Sequence, residues 1–476
     1  MQNEIREECG VFGIFDPDEK LDIAHLTYIA LYSLQHRGQQ SSGIAINDGG
    51  SFKHHRDNGL TGDVFSESVL RDMKGHSGIG HVRSAAEGFE SRDNAQPMLG
   101  YHVRGRMALA FNGALANGIS LRRRLVEGDV MFTTMSDAEI IGQIIVHERI
   151  RSDSTDTAVV KAMSTLSGAY SMVVLCAHKL IAARDPMGIR PLCMGHLGNA
   201  TIFASESCAI RAIGGTFDRD IRPGEVVTVS KERISYRTEN CGGKTSLCIF
   251  EHIYTARPDS IIDGQSVHLA RKAAGAALAK RHPVDADVVV GVPDSGLDAA
   301  LGYAEESGIP YGMGLMKNRY IGRTFIHPGQ SQRENLVQIK LQPMTAVIEG
   351  KRVVIVDDSI VRGTTTKHLI RMLRDFGAKE VHLRISSPPF INPCYYGTDI
   401  ASRDKLIACR MTTEEIRADL DADSLGYLAV EDLKSIAPDS RVGFCDACFT
   451  GNYPIQPEGE PYEHIDLRDD YDYTYE

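Results

Sequence analysis

Val353-Val354-Ile355-Val356-Asp357-Asp358-Ser359-Ile360-Val361-Arg362-Gly363-Thr364-Thr365-Thr366-Lys367 sets a strand, an acidic pair and a phosphate cradle in order along the chain. The unbroken apolar run Val353 to Val356 predicts a strand buried on both faces of a parallel sheet. Lys367 to Phe376 has the spacing of an amphipathic helix that stops at Gly377. Between them, Gly363, Thr364 and Thr365 let backbone N–H groups and hydroxyls close around a phosphate, where a helix N-terminus also favours an anion. Asp357 and Asp358, at the strand's C-terminal edge, would repel one another unless they met vicinal hydroxyls, Mg²⁺ or both. A phosphorylated sugar satisfies both ends of this stretch, whereas a plain strand-to-helix turn would leave the two acids merely solvated.

Working outward, Val288-Val289-Val290-Gly291-Val292-Pro293-Asp294-Ser295-Gly296-Leu297 is a second strand and small-residue turn, followed by an Ala-rich helix ending near Gly308. Ser295 and the glycines beside it would let the main chain come close to an anion, although such a turn alone is weak evidence. Between the two loops, Lys317-Asn318-Arg319-Tyr320-Ile321-Gly322-Arg323 and the following residues to Gln330 form a basic, aromatic segment with flexible flanks. A solvated surface loop is the plainer reading of it. Lys317, Arg319, Arg323, Lys340, Arg362 and Lys367 are the local positive charges available to an anionic ligand.

With 476 residues the chain is long for one core, so two domains are expected. A net charge of −11 argues against a general nucleic-acid surface. No apolar run reaches the length needed to span a bilayer, and residues 1–8 lack the apolar centre of a signal peptide, so the chain reads as soluble and cytoplasmic. Its ten cysteines then point to reduced thiols, metal ligands or catalysis rather than to a disulfide framework. Cys176, Cys193 and Cys208 sit in apolar surroundings that suit packing; Cys241 and Cys409 carry no assignment.

Cys9 opens the apolar strand pattern Cys9-Gly10-Val11-Phe12-Gly13-Ile14-Phe15 after eight residues without periodicity, a layout that suggests a removable leader. Cleavage before Cys9 would free an α-amine with a pKa of about 7.7–8.0, low enough to serve as a base for the adjacent thiol. A buried strand cysteine is the alternative. Asn112-Gly113, taken alone, reads as a hairpin turn.

The stretch at 353–367 resembles the ligand-binding motif of type I phosphoribosyltransferases. The chain from Cys9 to about Pro454 resembles, more narrowly, the glutamine phosphoribosylpyrophosphate (PRPP) amidotransferase family, in its iron-sulfur branch with an N-terminal propeptide. Gln35-His36-Arg37-Gly38-Gln39 and His81-Val82-Arg83 match family segments. The resemblance implies a propeptide at 1–8, then an α+β N-terminal nucleophile domain at 9–240, built as a four-layer αββα sandwich. An α/β type I phosphoribosyltransferase domain at 241–454 and an acidic tail at 455–476 follow. It implies Cys9 as nucleophile, Arg83 and Asp137 as the glutamine α-carboxylate and α-ammonium partners, and Asn112 with Gly113 as an oxyanion hole contributing roughly 3–4 kcal/mol per donor.

For the second half it implies PRPP and Mg²⁺ binding by Ser295, Asp357, Asp358, Ser359, Arg362, Gly363, Thr364 and Thr365. A catalytic flap would bear Lys317, Arg319, Tyr320, Arg323 and Lys340. Cys248, Cys394, Cys445 and Cys448 match the ligands of a [4Fe-4S] cluster, although four thiolates would suit zinc as well. The expected reaction is transfer of glutamine-derived ammonia to PRPP, giving 5-phosphoribosylamine, glutamate and diphosphate, in a homotetramer inhibited by purine nucleotides. Phe111 and Ala114 replace the family's usual His and Asn, Ser84-Ala85-Ala86 replaces Tyr-Ala-Thr, and Gln338 stands where an Arg commonly precedes Lys340. These departures keep open an ammonia-dependent enzyme with an impaired glutaminase. A PRPP-sensing repressor would need a DNA-binding module, and no segment supplies one.

Overall fold

The computed structural model describes residues 9–84, 91–102, 104–318, 341–398, 400 and 402–458. The expected propeptide, the flap residues Arg319, Tyr320, Arg323 and Lys340, and the acidic stretch from 459 lie outside the described residues.

The first half is two antiparallel sheets face to face. Seven strands run in the order 216–220, 193–197, 200–204, 10–15, 77–83, 41–48 and 51–58; six run in the order 234–237, 226–229, 180–184, 168–176, 105–115 and 98–102. Side-chain alternation along each strand builds the layers. In Gly10–Phe15, Val11 and Phe15 face the second sheet, while Phe12 and Ile14 face the helices Ile23–Ser33 and Ser207–Ala212. In Gly168–Cys176, Val173 and Leu175 fill the space between sheets, while Tyr170, Met172 and Val174 meet the helices Asp137–Ile150 and Thr155–Met163. Three apolar cores therefore separate four layers, the αββα sandwich expected. Cys193 and Cys208 pack in the outer core.

The second half carries a four-stranded parallel sheet in the order Val288–Gly291, Arg352–Asp357, Glu380–Ile385 and Ser424–Tyr427. Val353 to Val356 are all fully buried, Val354 and Val356 against one core and Val353 and Ile355 against the other. The continuous apolar run thus becomes a strand covered on both faces by helices, as read. The Ala-rich helix Gly296–Ser307 ends at Gly308 with φ +74°. The other helix, Thr364–Asp375, starts three residues before the expected position. Its apolar spacing begins only at Leu369, and three threonines have weak helix propensity, so the pattern hides the first turn. Gly363, at φ +81°, makes the left-handed turn that lets the helix begin there.

The segment Leu247–Cys248 pairs in parallel with Phe444–Cys445, which ties the start of the second half to its end. Among the described residues no helix is long and apolar enough to cross a membrane.

The halves are joined by charge. Arg184, fully buried, grips Asp263 through two hydrogen bonds of 2.8 and 2.7 Å. Removing one member of such a pair strands the other in a dry environment. Arg184→Ala is expected to cost about 3–5 kcal/mol, read as a lowered midpoint in denaturant unfolding.

Candidate functional site

Cys9 lies at the edge of the central strand of the seven-stranded sheet, and its Sγ donates to the Ser84 carbonyl at 3.6 Å. Burial pushes the thiol pKa up, opposed by the Arg83, Arg190 and Arg37 guanidiniums and the Ser84 contact. Arg83 closes the neighbouring strand, whose Val82 pairs with Gly10. Asn112 and Gly113 come from the facing sheet, where they lie inside the long strand Gly105–Leu115 and pair with Ser171 and Tyr170. They are not a hairpin turn. Gly113 has φ +137°, and a Cβ there would sit 2.0 Å from the Ala169 carbonyl oxygen. The Asn112 Nδ2 is buried without a hydrogen-bond partner.

Asp137 opens the helix that covers this sheet. One carboxylate oxygen, Oδ2, accepts from the Leu115 N–H at 2.8 Å, and the other, Oδ1, is buried with no partner. Burial raises its pKa to about 6 against the opposing pull of Leu115 N–H and Arg122. Next to these groups His81 donates Nε2–H to the Phe111 carbonyl at 2.9 Å, and burial drives its pKa down to about 3, so the ring is neutral. Phe111 itself points into the apolar core on the helix side of the sheet.

The two small-residue loops of the second half meet at the C-terminal edge of the parallel sheet. Asp358 accepts from both the Ser295 and the Ser359 hydroxyls, joining one loop to the other. Burial raises the Asp358 pKa, with the two hydroxyls and Arg271 pulling it down. Asp357 Oδ1 accepts from the Asp358 N–H at 2.9 Å and remains partly exposed. A side chain at Gly296 would meet the Val356 carbonyl at 2.4 Å, which is why the second loop reaches the strand only with glycine there. Arg362, Gly363, Thr364 and Thr365 follow at the start of the helix. Lys317 pairs with Asp294 at 2.6 Å, on the loop that bears Ser295. Lys367, on the first turns of that helix, pairs with Asp419 at 2.7 Å.

Cys248, Cys394, Cys445 and Cys448 line one small cavity with Ile189, Phe250 and Tyr396. Cys248 and Cys445 are register partners. Burial pushes the Cys445 thiol up to about 12, with Cys394 adding to the shift, and Cys448 well above its ordinary value, with Cys248, Cys394 and Cys445 adding to it. Among the described residues, no three His, Cys, Asp or Glu side chains form a group that could hold a metal ion.

A buried charge network at the junction was not assigned from sequence. Arg37, fully buried, donates Nε–H to the Cys9 carbonyl at 3.1 Å and binds Glu206 at 2.7 Å and Glu251 at 2.9 and 2.7 Å. Burial alone would raise the Glu206 pKa, yet His36 and Arg37 hold it well below the usual carboxylate range. Arg190, also buried, lies 3.7 Å from Glu251 and donates to the Tyr396 carbonyl at 2.9 Å. The available signal was a charged residue inside an apolar segment, as in Phe250-Glu251-His252-Ile253.

Residues 81–212 match the family described as the glutamine amidotransferase domain, and residues 265–387 match the phosphoribosyl transferase domain. Amidophosphoribosyltransferase of Methanocaldococcus jannaschii is 45% identical over 94% of this chain and 98% of its own length. The Bacillus subtilis amidophosphoribosyltransferase is 46% identical over 95% of each chain. Among solved structures, the B. subtilis glutamine PRPP amidotransferase complexed with ADP and GMP superposes with a TM-score of 0.88 at 44% identity, covering 95% of this chain and 99% of that one. A structure described as the allosteric regulatory enzyme of purine biosynthesis also gives a TM-score of 0.88 at 44% identity, over 95% and 97% of the two chains.

Proposed function

Because the chain belongs to the amidophosphoribosyltransferase family, we propose a division of labour in which Cys9 frees ammonia in the antiparallel half and the Ser295 and Asp358 loops use it in the parallel half. The reaction as a whole makes 5-phosphoribosylamine from glutamine and PRPP, the first step of purine biosynthesis. The boundaries that suit this division are those read from sequence: a leader at 1–8, the glutaminase at 9–240, the transferase at 241–454 and a tail at 455–476.

The observation that carries the glutaminase assignment is a pair of buried, unpartnered atoms of opposite kind, the Asp137 Oδ1 acceptor and the Asn112 Nδ2 donor. Buried polar atoms are nearly always paired, so each is a place kept for a ligand. A free amino acid provides both complements. Its α-ammonium suits Asp137, its α-carboxylate suits the Arg83 fork, and its amide oxygen, once tetrahedral, suits Asn112 and the Gly113 N–H. The Cys9 thiol adds to the amide carbon, its proton passes to the departing nitrogen by way of the freed α-amine, and water then releases glutamate from the thioester. Phe111 engages its neighbours through its main chain, accepting from His81 and donating to Gln96 Oε1, and its ring lies in the core, so its departure from the family's usual His leaves the two donors in place. This supports an active glutaminase over the ammonia-only alternative.

At the transferase site, Asp357 and Asp358 would hold the ribose hydroxyls while Gly363 to Thr365 receive the 5-phosphate at a helix N-terminus. The donor set of carboxylates and hydroxyls fits Mg²⁺, which when bound neutralises charge on the leaving diphosphate. Lys317 beside Asp294 adds a cation at the same rim, and Arg319, Tyr320, Arg323 and Lys340 complete the flap. The relative crystallised with ADP and GMP supports inhibition by purine nucleotides. A homotetramer and a cytoplasmic setting complete the proposal.

The four thiols fit a [4Fe-4S] cluster. They line one cavity, and burial raises the pKa of Cys445 and Cys448, so a cationic centre there would favour their thiolate forms. Its role would be structural, since the two ends of the transferase half meet at Cys248 and Cys445.

Cys9→Ala is expected to abolish synthesis from glutamine and to leave the ammonia-driven rate intact, whereas Asp358→Ala should lose both; steady-state assays with each nitrogen donor distinguish these. Mass spectrometry of the mature protein should give a chain beginning at Cys9.

Glutamine binding needs Asp137 ionised. With its free pKa at about 6, affinity should fall about tenfold per pH unit below that value, measured by calorimetry on Cys9→Ala between pH 5 and 8. The stability linkage runs the opposite way: the folded pKa lies above the ordinary 3.8, so without ligand Asp137 contributes less stability as pH rises from about 4 to about 6. Asp137→Asn should abolish the pH slope and bind weakly throughout.

Anaerobically purified protein should contain iron and acid-labile sulfide. Stoichiometric zinc would instead assign the thiols to a single ion.

A further inference from the structure

We propose that Gly397, in the transferase half, is a positioning residue of the glutaminase site: it backs the oxyanion strand at Gly113 and is locked there by Arg190. This rests on the assignment of Asn112 and Gly113 as the oxyanion donors.

Gly113 has no side chain with which to anchor itself, and its φ of +137° is one that other residues avoid. Its position is therefore set by what touches its backbone. On one side stands the paired strand, with Ala169 so close that no Cβ fits. Gly397 presses from the other side. A Cβ built on Gly397 would lie 3.0 Å from the Gly113 carbonyl carbon and 3.2 Å from its Cα, with the Arg190 guanidinium at 3.1 Å. Gly397 itself has φ +107°. Two glycines from different halves of the chain thus meet main chain to main chain.

Arg190 fixes this contact. Its guanidinium straddles Gly397, donating to the Tyr396 carbonyl before it and, at 3.3 Å, to the Thr398 hydroxyl after it. The same buried guanidinium faces Glu251, which binds Arg37, which in turn donates to the Cys9 carbonyl. The nucleophile and the oxyanion glycine are therefore held in register through two residues, Glu251 and Gly397, that the antiparallel half does not contain. Cys394, three residues before Gly397, lines the thiol cavity, and its Sγ accepts from the Tyr396 N–H at 3.4 Å.

A methyl group at 397 would push Gly113 by a few tenths of an ångström and tilt its N–H away from the developing oxyanion. The clamp on the α-carboxylate and α-ammonium, at Arg83 and Asp137, would not move. The expected signature of Gly397→Ala in the full-length holoenzyme is a fall in glutamine kcat on the order of 10- to 100-fold, with KM for glutamine and the ammonia-driven rate held within about twofold. A second measurement separates positioning from general damage. With glutamate γ-semialdehyde, the Cys9 sulfur adds to the aldehyde carbon, the carbonyl π pair moves to oxygen and the thiol proton ends on that oxygen, so the adduct needs the oxyanion donors. Its affinity should fall by the same factor as kcat, while that of glutamate stays unchanged.

An unchanged kcat for Gly397→Ala, a change confined to KM, or an equal loss of the glutamine- and ammonia-driven rates each overturns the proposal. Asn112→Ala, assayed alongside, separates the two layers of argument. If it loses glutamine kcat and Gly397→Ala does not, only the role of Gly397 fails; if it too keeps full kcat, the oxyanion assignment fails with it.

Discussion

The structure depends on a charge network that holds its two halves together in the dry interior. Arg37, Glu206, Glu251 and Arg190 are all fully buried, and His36 closes the set from the rim. Two guanidiniums and two carboxylates in such a place are tolerable only when opposite charges face one another closely, because each ion alone would cost several kcal/mol to desolvate. Arg37 and Glu206 come from the antiparallel half and Glu251 from the segment that leads into the parallel one. Neither half can neutralise its own buried charge. Separating them would leave Arg37 and Glu251 without each other in an apolar setting, so docking is enforced by electrostatics as much as by packing.

That constraint explains where the proposed nucleophile sits. Cys9 precedes a central strand of one sheet, the Asn112 and Gly113 pair belongs to the sheet opposite, and the Arg37 guanidinium tethers the Cys9 carbonyl. The geometry proposed for catalysis, drawn from two sheets and braced by Glu251 of the other half, would be sensitive to small rotations between them. A network of short, charged hydrogen bonds resists such rotation better than apolar contacts do, since those slide at little cost while misaligned ion pairs lose both direction and distance.

What the sequence revealed and what it hid follow from the same physics. Local periodicity encodes the buried strand Val353–Val356 and the turn that follows it, because both are set by residues adjacent in the chain. Asp137, Asn112 and Cys9 lie in separate stretches and became a site only through resemblance, since nothing in their spacing predicts that they face one another. The helix at Thr364 began earlier than its apolar pattern, for threonine carries no amphipathic signal. The Arg190 fork on Tyr396 and Thr398 spans more than two hundred positions. A long-range polar contact of this kind leaves no periodic trace, and a glycine such as Gly397 leaves none at all until its neighbours are known.

The two sheets also suit the two chemistries proposed for them. Amide attack needs a few fixed donors aimed at one developing charge, and an antiparallel sandwich delivers them from strand interiors such as Asn112, where the backbone cannot relax. Phosphate and diphosphate need many N–H groups converging on a large anion, which a parallel sheet provides at its C-terminal edge because every strand there hands over to a loop or a helix N-terminus. The Asp358 hydrogen bonds from Ser295 and Ser359 draw two such loops together before any ligand arrives. A buried carboxylate with a raised pKa then favours a ligand that brings cations or hydroxyl donors to it. Bare phosphate offers neither, whereas a sugar phosphate carried with a divalent cation offers both, so in the proposed site the acid that holds the loops together would also select what they accept.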